Sequence, residues 1–299
     1  MNGIIIIDKP TGWTSHDVIA KLRGALKIKR IGHGGTLDPM ATGVLPVFIG
    51  RATRAAEFSE NAEKEYIAGL TLGIVTDTQD ITGNILSENK VTATADDLRN
   101  ILPDFIGLQK QIPPMYSAIK KDGKKLYELA RQGIEIPRQP REITISSLEL
   151  IDPCHPVPPC HPELSFTLRI SCSKGTYIRT LCHDIGTKLG CGGTMSALRR
   201  TKAGAFTIDM AHTLDSVLSS ISTDSVNDLI LPIDSIFTTY PSITITETET
   251  KKAKNGAPCQ PQTPTENGTY KIYTETGEFL LLGKIQNNKI TTIKNFFEV

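Results

Sequence analysis

The stretch at residues 32–50, GHGGTLDPMATGVLPVFIG, constrains the fold of this chain more than any other. It places His33 and Asp38 among glycines and a proline, and then runs into the apolar segment 44–49, which is long enough for a buried strand. Glycines permit positive φ and close approach of a ligand, whereas Pro39 restricts the residue before it to extended or turn geometry. One carboxylate is therefore predicted on a tight loop braced by a core element, as catalytic groups commonly are. An ordinary turn of the same composition is the simpler alternative.

Length and composition favour a soluble protein with more than one domain. At 299 residues the chain exceeds the usual single domain, so we expect one large and one small domain. A composition of 39% hydrophobic and 22% charged residues is typical of globular proteins. No apolar run approaches the roughly 20 residues that cross a bilayer, and the N-terminus has no basic leader. The six cysteines form no CxxC pair, which fits a reducing compartment. We therefore expect a cytoplasmic protein without a membrane partner.

The distribution of charge says more than the net charge of +1. Residues 21–30 contain five basic residues and no acidic one, and residues 110–141 contain eight basic residues against three acidic ones. Such asymmetry indicates one face for a polyanion, although a basic run is more often only a solvated face.

The hydrophobic periodicity predicts a mixture of strands and helices without a regular βαβ rhythm. Strands are expected at residues 3–7, 44–49, 64–72, 143–151 and 164–172. Helices are expected at residues 51–62 and 177–189, and after the capping residues Thr14/Asp17 and Thr94/Asp97. This pattern predicts an α+β fold with a mixed, largely antiparallel sheet flanked by helices. A composition shift near Tyr240 separates a small C-terminal β domain with short strands at 269–273, 279–285 and 289–293.

Four sequence blocks resemble one known family. The loop around Asp38 resembles the signature of the TruB family of tRNA pseudouridine synthases, the bacterial pseudouridine-55 type, at Gly32-His33, Gly35-Thr36-Leu37-Asp38-Pro39 and Ala41-Thr42-Gly43. The other blocks, in family order, are Asp8-Lys9-Pro10, residues 111–133 beginning QIPPMYSAIKKDGKK, and residues 172–180 (CSKGTYIRT) leading to Leu198-Arg199-Arg200. The C-terminal domain is similar in position to the family's PUA-like RNA-binding module, but its sequence is less distinctive.

The resemblance implies a domain plan, an activity and a partner. It implies a pseudouridine synthase catalytic domain over residues 1–239, with an RNA-contacting insert at 110–141, and a PUA-like RNA-binding β domain over 240–299. The implied enzyme is an isomerase of tRNA processing that converts uridine 55 in the tRNA T-loop to pseudouridine. The implied partner is the T-stem-loop of tRNA, and we expect a monomer that holds no cofactor and no metal.

The implied chemistry needs a carboxylate rather than a cofactor. Pseudouridine formation breaks the bond from ribose C1′ to uracil N1 and joins C1′ to C5 of the same base, so no group is gained or lost. A carboxylate serves as nucleophile or as electrostatic stabiliser of an electron-poor centre. The resemblance assigns this role to Asp38, with attack at C1′, attack at C6 and a glycal-forming departure all left open.

The resemblance also assigns substrate-binding residues. Arg179 is implied beside the catalytic carboxylate, Tyr66 and Tyr177 line the uracil pocket, and Leu198 contacts the base. His33 helps to occupy the space vacated when the target base is flipped out of its stack. Backbone contacts are expected from Lys120, Lys121, Lys124 and Lys125. Without the resemblance these residues would be interpreted as a surface arginine, core aromatic and aliphatic side chains, a loop histidine and a solubilising loop.

Two features depart from the family pattern. Gly34 stands where the family often has a hydroxyl residue, and residues 152–163 (DPCHPVPPCHPE) look like an insertion. The Cys-His pairs of this insertion suggest zinc, but intervening prolines and the absence of a standard ligand spacing favour an exposed loop.

Other functions have weaker sequence support. A zinc base deaminase would need P-C-x-x-C, which is absent, and an esterase would need a G-x-S-x-G elbow, which is also absent. There is no P-loop and no G-x-G-x-x-G fingerprint. The remaining alternative is a non-catalytic RNA-binding or tRNA-folding protein on the same scaffold.

Overall fold

The computed structural model of the chain describes residues 1–151 and 165–298, so the Cys/His/Pro segment 152–163 lies outside the described residues. The α-helices of the described chain are α1 (Ser15–Leu26), α2 (Ala56–Asn61), α3 (Ala95–Ile101), α4 (Leu126–Ala130), α5 (Ile178–Lys188), α6 (Leu214–Ser222) and α7 (Glu247–Lys254). Its strands are β1 (Gly3–Lys9), β2 (Ile31–His33), β3 (Thr42–Ile49), β4 (Lys64–Leu72), β5 (Ile74–Thr76), β6 (Ile85–Glu88), β7 (Gly107–Gln111), β8 (Lys120–Lys121), β9 (Lys124–Lys125), β10 (Arg141–Ile151), β11 (Ser165–Cys172), β12 (Gly193–Ala203), β13 (Phe206–Thr207), β14 (His212–Thr213), β15 (Ser242–Ile245), β16 (Gly268–Thr274), β17 (Phe279–Gln286) and β18 (Lys289–Asn295).

The chain forms two compact units that do not follow the chain order. One unit comprises Met1–Pro39, Gly43–Asn61 and the chain from Lys202 onward. The other comprises Met40–Thr42 and Ala62–Thr201. The long strand β12 therefore belongs mainly to the second unit, and its last two residues belong to the first.

The N-terminal strand is apolar throughout because both of its faces are covered. β1 pairs antiparallel with β3 from Gly3↔Ile49 to Lys9↔Gly43, and β14 pairs parallel with its other edge. Successive side chains of a strand point to opposite faces. Ile5 and Ile7 pack with α1 and α6 residues, whereas Ile4 and Ile6 pack in a different cluster. A run of four consecutive isoleucines is therefore explained by a strand that is buried on both sides.

The first helix begins as its sequence predicts. The Thr14 side chain accepts a hydrogen bond from the Asp17 N–H, and the Asp17 carboxylate accepts one from the Thr14 N–H, which makes a capping box. Hydrogen bonds from Thr14 hold the pKa of Asp17 below its ordinary value. Val18, Ile19 and Leu22 are buried on one face. The predicted capping box of Thr94 and Asp97 on α3 is also confirmed.

The second unit contains a sheet in which the β4–β11, β11–β10 and β10–β7 pairs are antiparallel. Its strand order is β12-β4-β11-β10-β7. β4 pairs with β11 over its whole length, from Lys64↔Cys172 to Thr71↔Ser165, and has the bounds that the sequence predicts. α5 buries Ile178, Leu181 and Ile185, as its spacing predicts. The mixed, largely antiparallel sheet flanked by helices is therefore confirmed.

The C-terminal segment forms a small β structure within the first unit. Its strand order is β15-β16-β17-β18. In this four-stranded sheet the β15–β16 pair is parallel and the other two pairs are antiparallel. Strands β16 to β18 lie where the sequence predicts them, whereas β15 and α7 were not predicted. Isoleucine and leucine side chains of β16 and β17 form the core of this sheet with Ala253 of α7.

The same small sheet shares a hydrophobic core with the N-terminal strands. Leu282 and Phe296 belong to one buried cluster with Phe48 and Phe237. The Phe296 ring stacks on Phe279 with centroids 5.2 Å apart and lies 5.8 Å from the ring of Phe237. These aromatic contacts stabilise the C-terminal sheet and the N-terminal strands together, because aromatic residues contribute most of the apolar area that such contacts bury.

We predict that Phe296→Ala lowers the free energy of unfolding of the first unit by about 3–5 kcal/mol, as expected for a buried Phe→Ala change. Phe296 is 1% exposed. The single tryptophan, Trp13, packs on the N-terminal core and reports on that part by fluorescence during urea unfolding. The Trp13 transition should move to lower urea together with the circular dichroism transition. A Trp13 transition that stays in place would show that the C-terminal sheet unfolds independently.

The described residues contain no helix that is long and apolar enough to span a bilayer.

Candidate active site

The loop that carries Asp38 is fixed by backbone hydrogen bonds from both of its sides. β2 leads into it and pairs with β3, so that His33 lies opposite Val47. The Gly34 N–H donates to Pro46 O at 3.0 Å. Gly35 then adopts φ 105°, a conformation that an L side chain rarely accepts. Asp38 itself is half-buried.

The segment that follows β1 holds the other end of the loop. The Ser15 hydroxyl accepts a hydrogen bond from Leu37 N–H at 2.9 Å, and Gly12 N–H donates to Pro39 O at 2.8 Å. The residue before Asp38 is therefore tethered to Ser15, the first residue of α1, and the residue after it to Gly12, in the turn before α1. Such tethers reduce the conformational freedom that a catalytic group would lose on reaction.

Lys9 is a buried cation that supports the same loop. It is 0% exposed, and its ammonium group donates to Pro10 O at 2.8 Å, Trp13 O at 2.6 Å and Pro39 O at 3.3 Å. The last of these carbonyls belongs to the residue after Asp38. A buried ammonium group is tolerated only when its donors are satisfied, and here three carbonyls accept from it. The sequence does not predict the burial of Lys9.

The structure gives a reason for glycine at position 34. A Cβ atom built on Gly34 would lie 2.4 Å from Ser59 Oγ and 2.8 Å from Phe48 Cε2. The Ser59 hydroxyl donates to Gly34 O at 3.3 Å. Ser59 therefore fills the space that a side chain at position 34 would need.

Arg179 lies on α5 in the second unit and is almost completely buried. Its guanidinium donates to Thr78 O at 3.0 Å and to Tyr116 O at 2.9 Å, and it lies 3.6 Å from an Asp80 carboxylate oxygen. The side chains of Arg179 and Asp80 are 6% and 7% exposed. One planar cation thus joins three segments of the chain, a geometry that lysine does not reproduce.

The turn that contains Asp80 was not identified from the sequence. The Asp80 carboxylate accepts hydrogen bonds from the Thr78 hydroxyl at 2.9 Å, the Thr82 N–H at 3.0 Å and the Thr82 hydroxyl at 2.5 Å. The turn therefore presents a preformed carboxylate to Arg179. The sequence signal was the hydrogen-bonding residue types at positions 77–84 (DTQDITGN), which mark a turn but not its partner.

The remaining predicted pocket residues also lie in the second unit. Tyr66 is half-buried on β4, opposite Ile170 of β11. The backbone of Tyr177 is held at the start of α5 by two hydrogen bonds with the Gln111 side chain, at 2.8 and 3.0 Å. Leu198 is 8% exposed on β12. Tyr66 and Leu198 lie on strands, and Tyr177 lies directly before the first residue of α5. Mounting on regular structure favours a precise binding surface.

The four predicted backbone-contacting lysines form a small hairpin. β8 and β9 pair Lys120 with Lys125 and Lys121 with Lys124. Asp122 and Gly123 between them have φ of 51° and 81°, as in the tight turns that join such strands. The Lys125 ammonium group lies 5.3 Å from the centroid of the Tyr127 ring. Among the described residues no carboxylate forms a salt bridge with these four side chains.

The buried cysteine thiols of the second unit are not suited to nucleophilic catalysis. Burial raises the pKa of Cys172 to about 11 and that of Cys182 to about 12. Thiols with such pKa values are almost entirely protonated at neutral pH, and the thiolate is the reactive form. No cluster of His, Cys, Asp and Glu side chains within residues 1–151 and 165–298 has the arrangement of a metal site. The segment 152–163, whose Cys-His pairs suggested zinc, lies outside the described residues.

We predict that Arg179→Met and Asp80→Asn each lower the free energy of unfolding, by about 3–5 kcal/mol for the arginine. The first variant leaves the buried Asp80 carboxylate without this cation, and the second removes one carboxylate from beside the buried guanidinium. The double variant should lose less than the sum of the two, with a coupling free energy of about 1–3 kcal/mol. Urea denaturation of the four proteins measures the cycle. Additive losses would show that the ion pair contributes nothing beyond its separate hydrogen bonds.

The chain superimposes on one chain in the crystal structure of a Cbf5-Nop10-Gar1 complex with a TM-score of 0.74 and 26% sequence identity, covering 99% of this chain and 85% of the other. This likeness defines the class of fold: an α+β catalytic scaffold followed by a small β structure.

Sequence comparison then defines the family. Residues 23–178 match the N-terminal domain of the TruB family pseudouridylate synthases, and residues 179–238 match the C-terminal domain described for tRNA pseudouridylate synthase B. The chain belongs to the TruB family of pseudouridylate synthases, which are isomerases.

Two curated relatives carry the same name. A protein of Clostridium kluyveri named tRNA pseudouridine synthase B is 40% identical over 302 aligned residues, which cover 99% of this chain and 100% of the relative. A protein of Alkaliphilus oremlandii with the same name is 50% identical over 234 residues, covering 78% of this chain and 75% of the relative.

Proposed function

We propose that this protein isomerises uridine 55 in the T-loop of tRNA to pseudouridine, with Asp38 as the catalytic carboxylate. The observation that carries the proposal is the loop of residues 34–41, in which the neighbours of Asp38 are tethered by Lys9, Gly12 and Ser15. A carboxylate on such a loop suits a reaction that needs a nucleophile or stabiliser held in one position.

Asp38 acts on the nucleotide by one of three routes: attack at C1′, attack at C6, or stabilisation of a glycal-forming departure. In each route the C1′–N1 bond breaks, the base rotates and the C1′–C5 bond forms. The C5 hydrogen leaves as a proton and N1 gains one, so the atoms balance without a cofactor.

The second unit supplies the groups that bind the base. Tyr66 stacks on the uracil, Tyr177 and Leu198 line its pocket, and Arg179 binds beside it. The rigid mounting of these residues on β4, α5 and β12 supports this assignment. His33 occupies the space that the flipped base leaves, since flipping costs a few kcal/mol that a replacement contact offsets.

The RNA backbone is bound by the lysine hairpin and by the C-terminal module. Lys120, Lys121, Lys124 and Lys125 carry ammonium groups that no described carboxylate neutralises, which suits phosphate binding. We assign catalysis to residues 1–239, with the insert 110–141, and RNA binding to residues 240–299, in a cytoplasmic monomer. Sedimentation of the purified protein tests the monomeric state.

The function is tested with unmodified tRNA that carries tritium at uridine C5. Joining C5 to ribose expels the C5 hydrogen, so label appears in water only when the reaction occurs. Base-specific chemical labelling of the product then maps the modified position. Binding without release of label would favour the alternative, a non-catalytic tRNA-binding or tRNA-folding protein. Release with modification outside the T-loop would retain the enzyme but reject the proposed target.

A further inference from the structure

The second half of α1 and the turn after it carry a basic patch that the proposed active site does not use. The patch consists of Lys21, Lys27 and Lys29, which are all exposed. Between Asp17 and Asp38 the sequence contains no acidic residue. Among the described residues, none of the three ammonium groups has an ion-pair partner. Three cations that form no ion pair raise the positive potential at this surface.

The backbone under the patch is held in place. Ile28, between two of the lysines, packs against the core of the first unit. Arg23 and Arg30 are engaged with the protein: the first donates to Ile31 O at 2.6 Å and the second to the Thr53 hydroxyl at 2.8 Å. The Gly50 N–H also donates to Arg30 O at 2.8 Å. The lysines therefore project from a fixed segment, which lowers the ordering cost of binding a ligand.

Lys27 occupies a backbone position that favours a different residue. As the C-cap of α1 it has φ 55° and ψ 31°, in the left-handed region where glycine is usual. A lysine at such a position costs conformational free energy that a glycine would not. Strained residues of this kind are concentrated at functional sites, and the feature here points to a use for the charge.

The position of the patch along the chain indicates its ligand. Lys29 precedes His33 by only four residues, so their Cα atoms lie at most about 14 Å apart. Phosphates of an RNA whose target loop reaches His33 are therefore within range of the patch. An anionic membrane surface would also attract three lysines, but it gives no reason for placing them next to this loop.

We propose that Lys21, Lys27 and Lys29 bind the phosphate backbone of the same RNA stem-loop that presents the target uridine. The inference rests on the proposed function, because it takes the RNA substrate from it. It adds a second electrostatic contact surface, separate from the lysine hairpin at residues 120–125.

The test measures binding of a tRNA T-stem-loop over a range of salt concentrations. The triple variant Lys21→Ala/Lys27→Gly/Lys29→Ala removes the three charges, and glycine at position 27 suits the left-handed backbone, so the fold should be preserved or strengthened. If each lysine contacts one phosphate, the log–log salt slope should fall by roughly 2 to 3. Kd at 0.1 M salt should then rise by about 100-fold, and the difference should vanish near 1 M salt.

A matched control removes three charges elsewhere. Lys90, Arg99 and Lys188 lie in the second unit, and the last two are already paired with Asp96 and Asp104. Their triple alanine variant has the same net charge as the patch variant and should keep the wild-type salt slope. An equal fall in both variants would assign the effect to net charge and overturn the proposal.

The outcomes separate this inference from the proposed function. If the wild-type protein releases tritium and the patch variant keeps the wild-type salt slope, the inference is overturned and the proposed function stands. Wild-type protein that binds the stem-loop but releases no label overturns the proposed enzyme, and a reduced slope in the variant would still support the patch. If the patch variant no longer binds anionic phospholipid vesicles but keeps the wild-type salt slope for RNA binding, the patch would be assigned to membranes and the inference overturned.

Discussion

Asp38→Asn should abolish release of tritium from C5-labelled tRNA while tRNA affinity stays within about tenfold of wild type, roughly 1.4 kcal/mol. Asparagine has nearly the volume of aspartate, and Leu37 and Pro39 on either side of position 38 keep their hydrogen bonds to Ser15 and Gly12. The loop should therefore persist, and what disappears is the negative charge and nucleophilic oxygen that the transition state requires. Binding free energy comes from phosphate contacts and stacking that the substitution does not alter.

Asp17→Asn is the matched control for this variant. It also removes one negative charge, at the exposed capping box of α1, and it should retain the wild-type rate because Asp17 only caps the helix. The asparagine variant of Asp38 must be checked for deamidation back to aspartate before each assay. Substantial label release by freshly checked protein would remove Asp38 as the catalytic group.

Lys9→Met should lower the single-turnover rate by about 100-fold, the loss that a displacement of about 1 Å in a catalytic group produces. Methionine fills a similar volume but cannot donate to Pro10 O, Trp13 O and Pro39 O. Pro39 O would keep its hydrogen bond from the Gly12 N–H, whereas Pro10 O and Trp13 O would lose the ammonium donor. The turn after β1 that holds the loop should therefore move to bring these carbonyls to water or another donor. Lys9 therefore acts as a positioning residue through the loop, and tRNA affinity should change much less than the rate.

Loss of stability alone must be separated from displacement of the loop. Phe296→Ala serves as the comparison, since it destabilises the first unit at a site outside the loop of residues 34–41. Both variants are assayed at a temperature where circular dichroism shows them folded. If Phe296→Ala loses as much rate as Lys9→Met, the effect of the lysine would be a general consequence of instability.

The sequence was informative wherever local rules decide the structure. The alternating pattern of residues 64–72 predicted β4 at its observed bounds, and two capping boxes predicted where α1 and α3 begin. These features depend on side-chain period and on hydrogen bonds between residues three positions apart, so one stretch of sequence contains all the information.

Features that depend on distant partners were not predicted. A lysine at the end of a strand is ordinarily exposed. Lys9 is buried instead, and one of the carbonyls that accept from its ammonium group lies 30 residues away. Asp80 reads as a turn residue, and its ion pair with Arg179 joins positions 99 residues apart. α7 was missed for another reason: only Thr250 and Ala253 are buried, so the helix has almost no apolar period to detect.

The discontinuous first unit determines the order in which parts of the chain can fold during synthesis. β1 pairs with β14, and Ile4 forms a bridge with Leu231. Its core also needs Phe296, near the end of the described chain. β3 and α1 can cover part of β1 early, but the second edge of β1 and the face of Ile4 and Ile6 are completed only by residues 206–296. The stretch Ala62–Thr201 is contiguous and can become compact earlier, as domains generally do during translation. A nascent chain of this protein consequently carries one edge and one isoleucine face of β1 uncovered until those later residues have been synthesised.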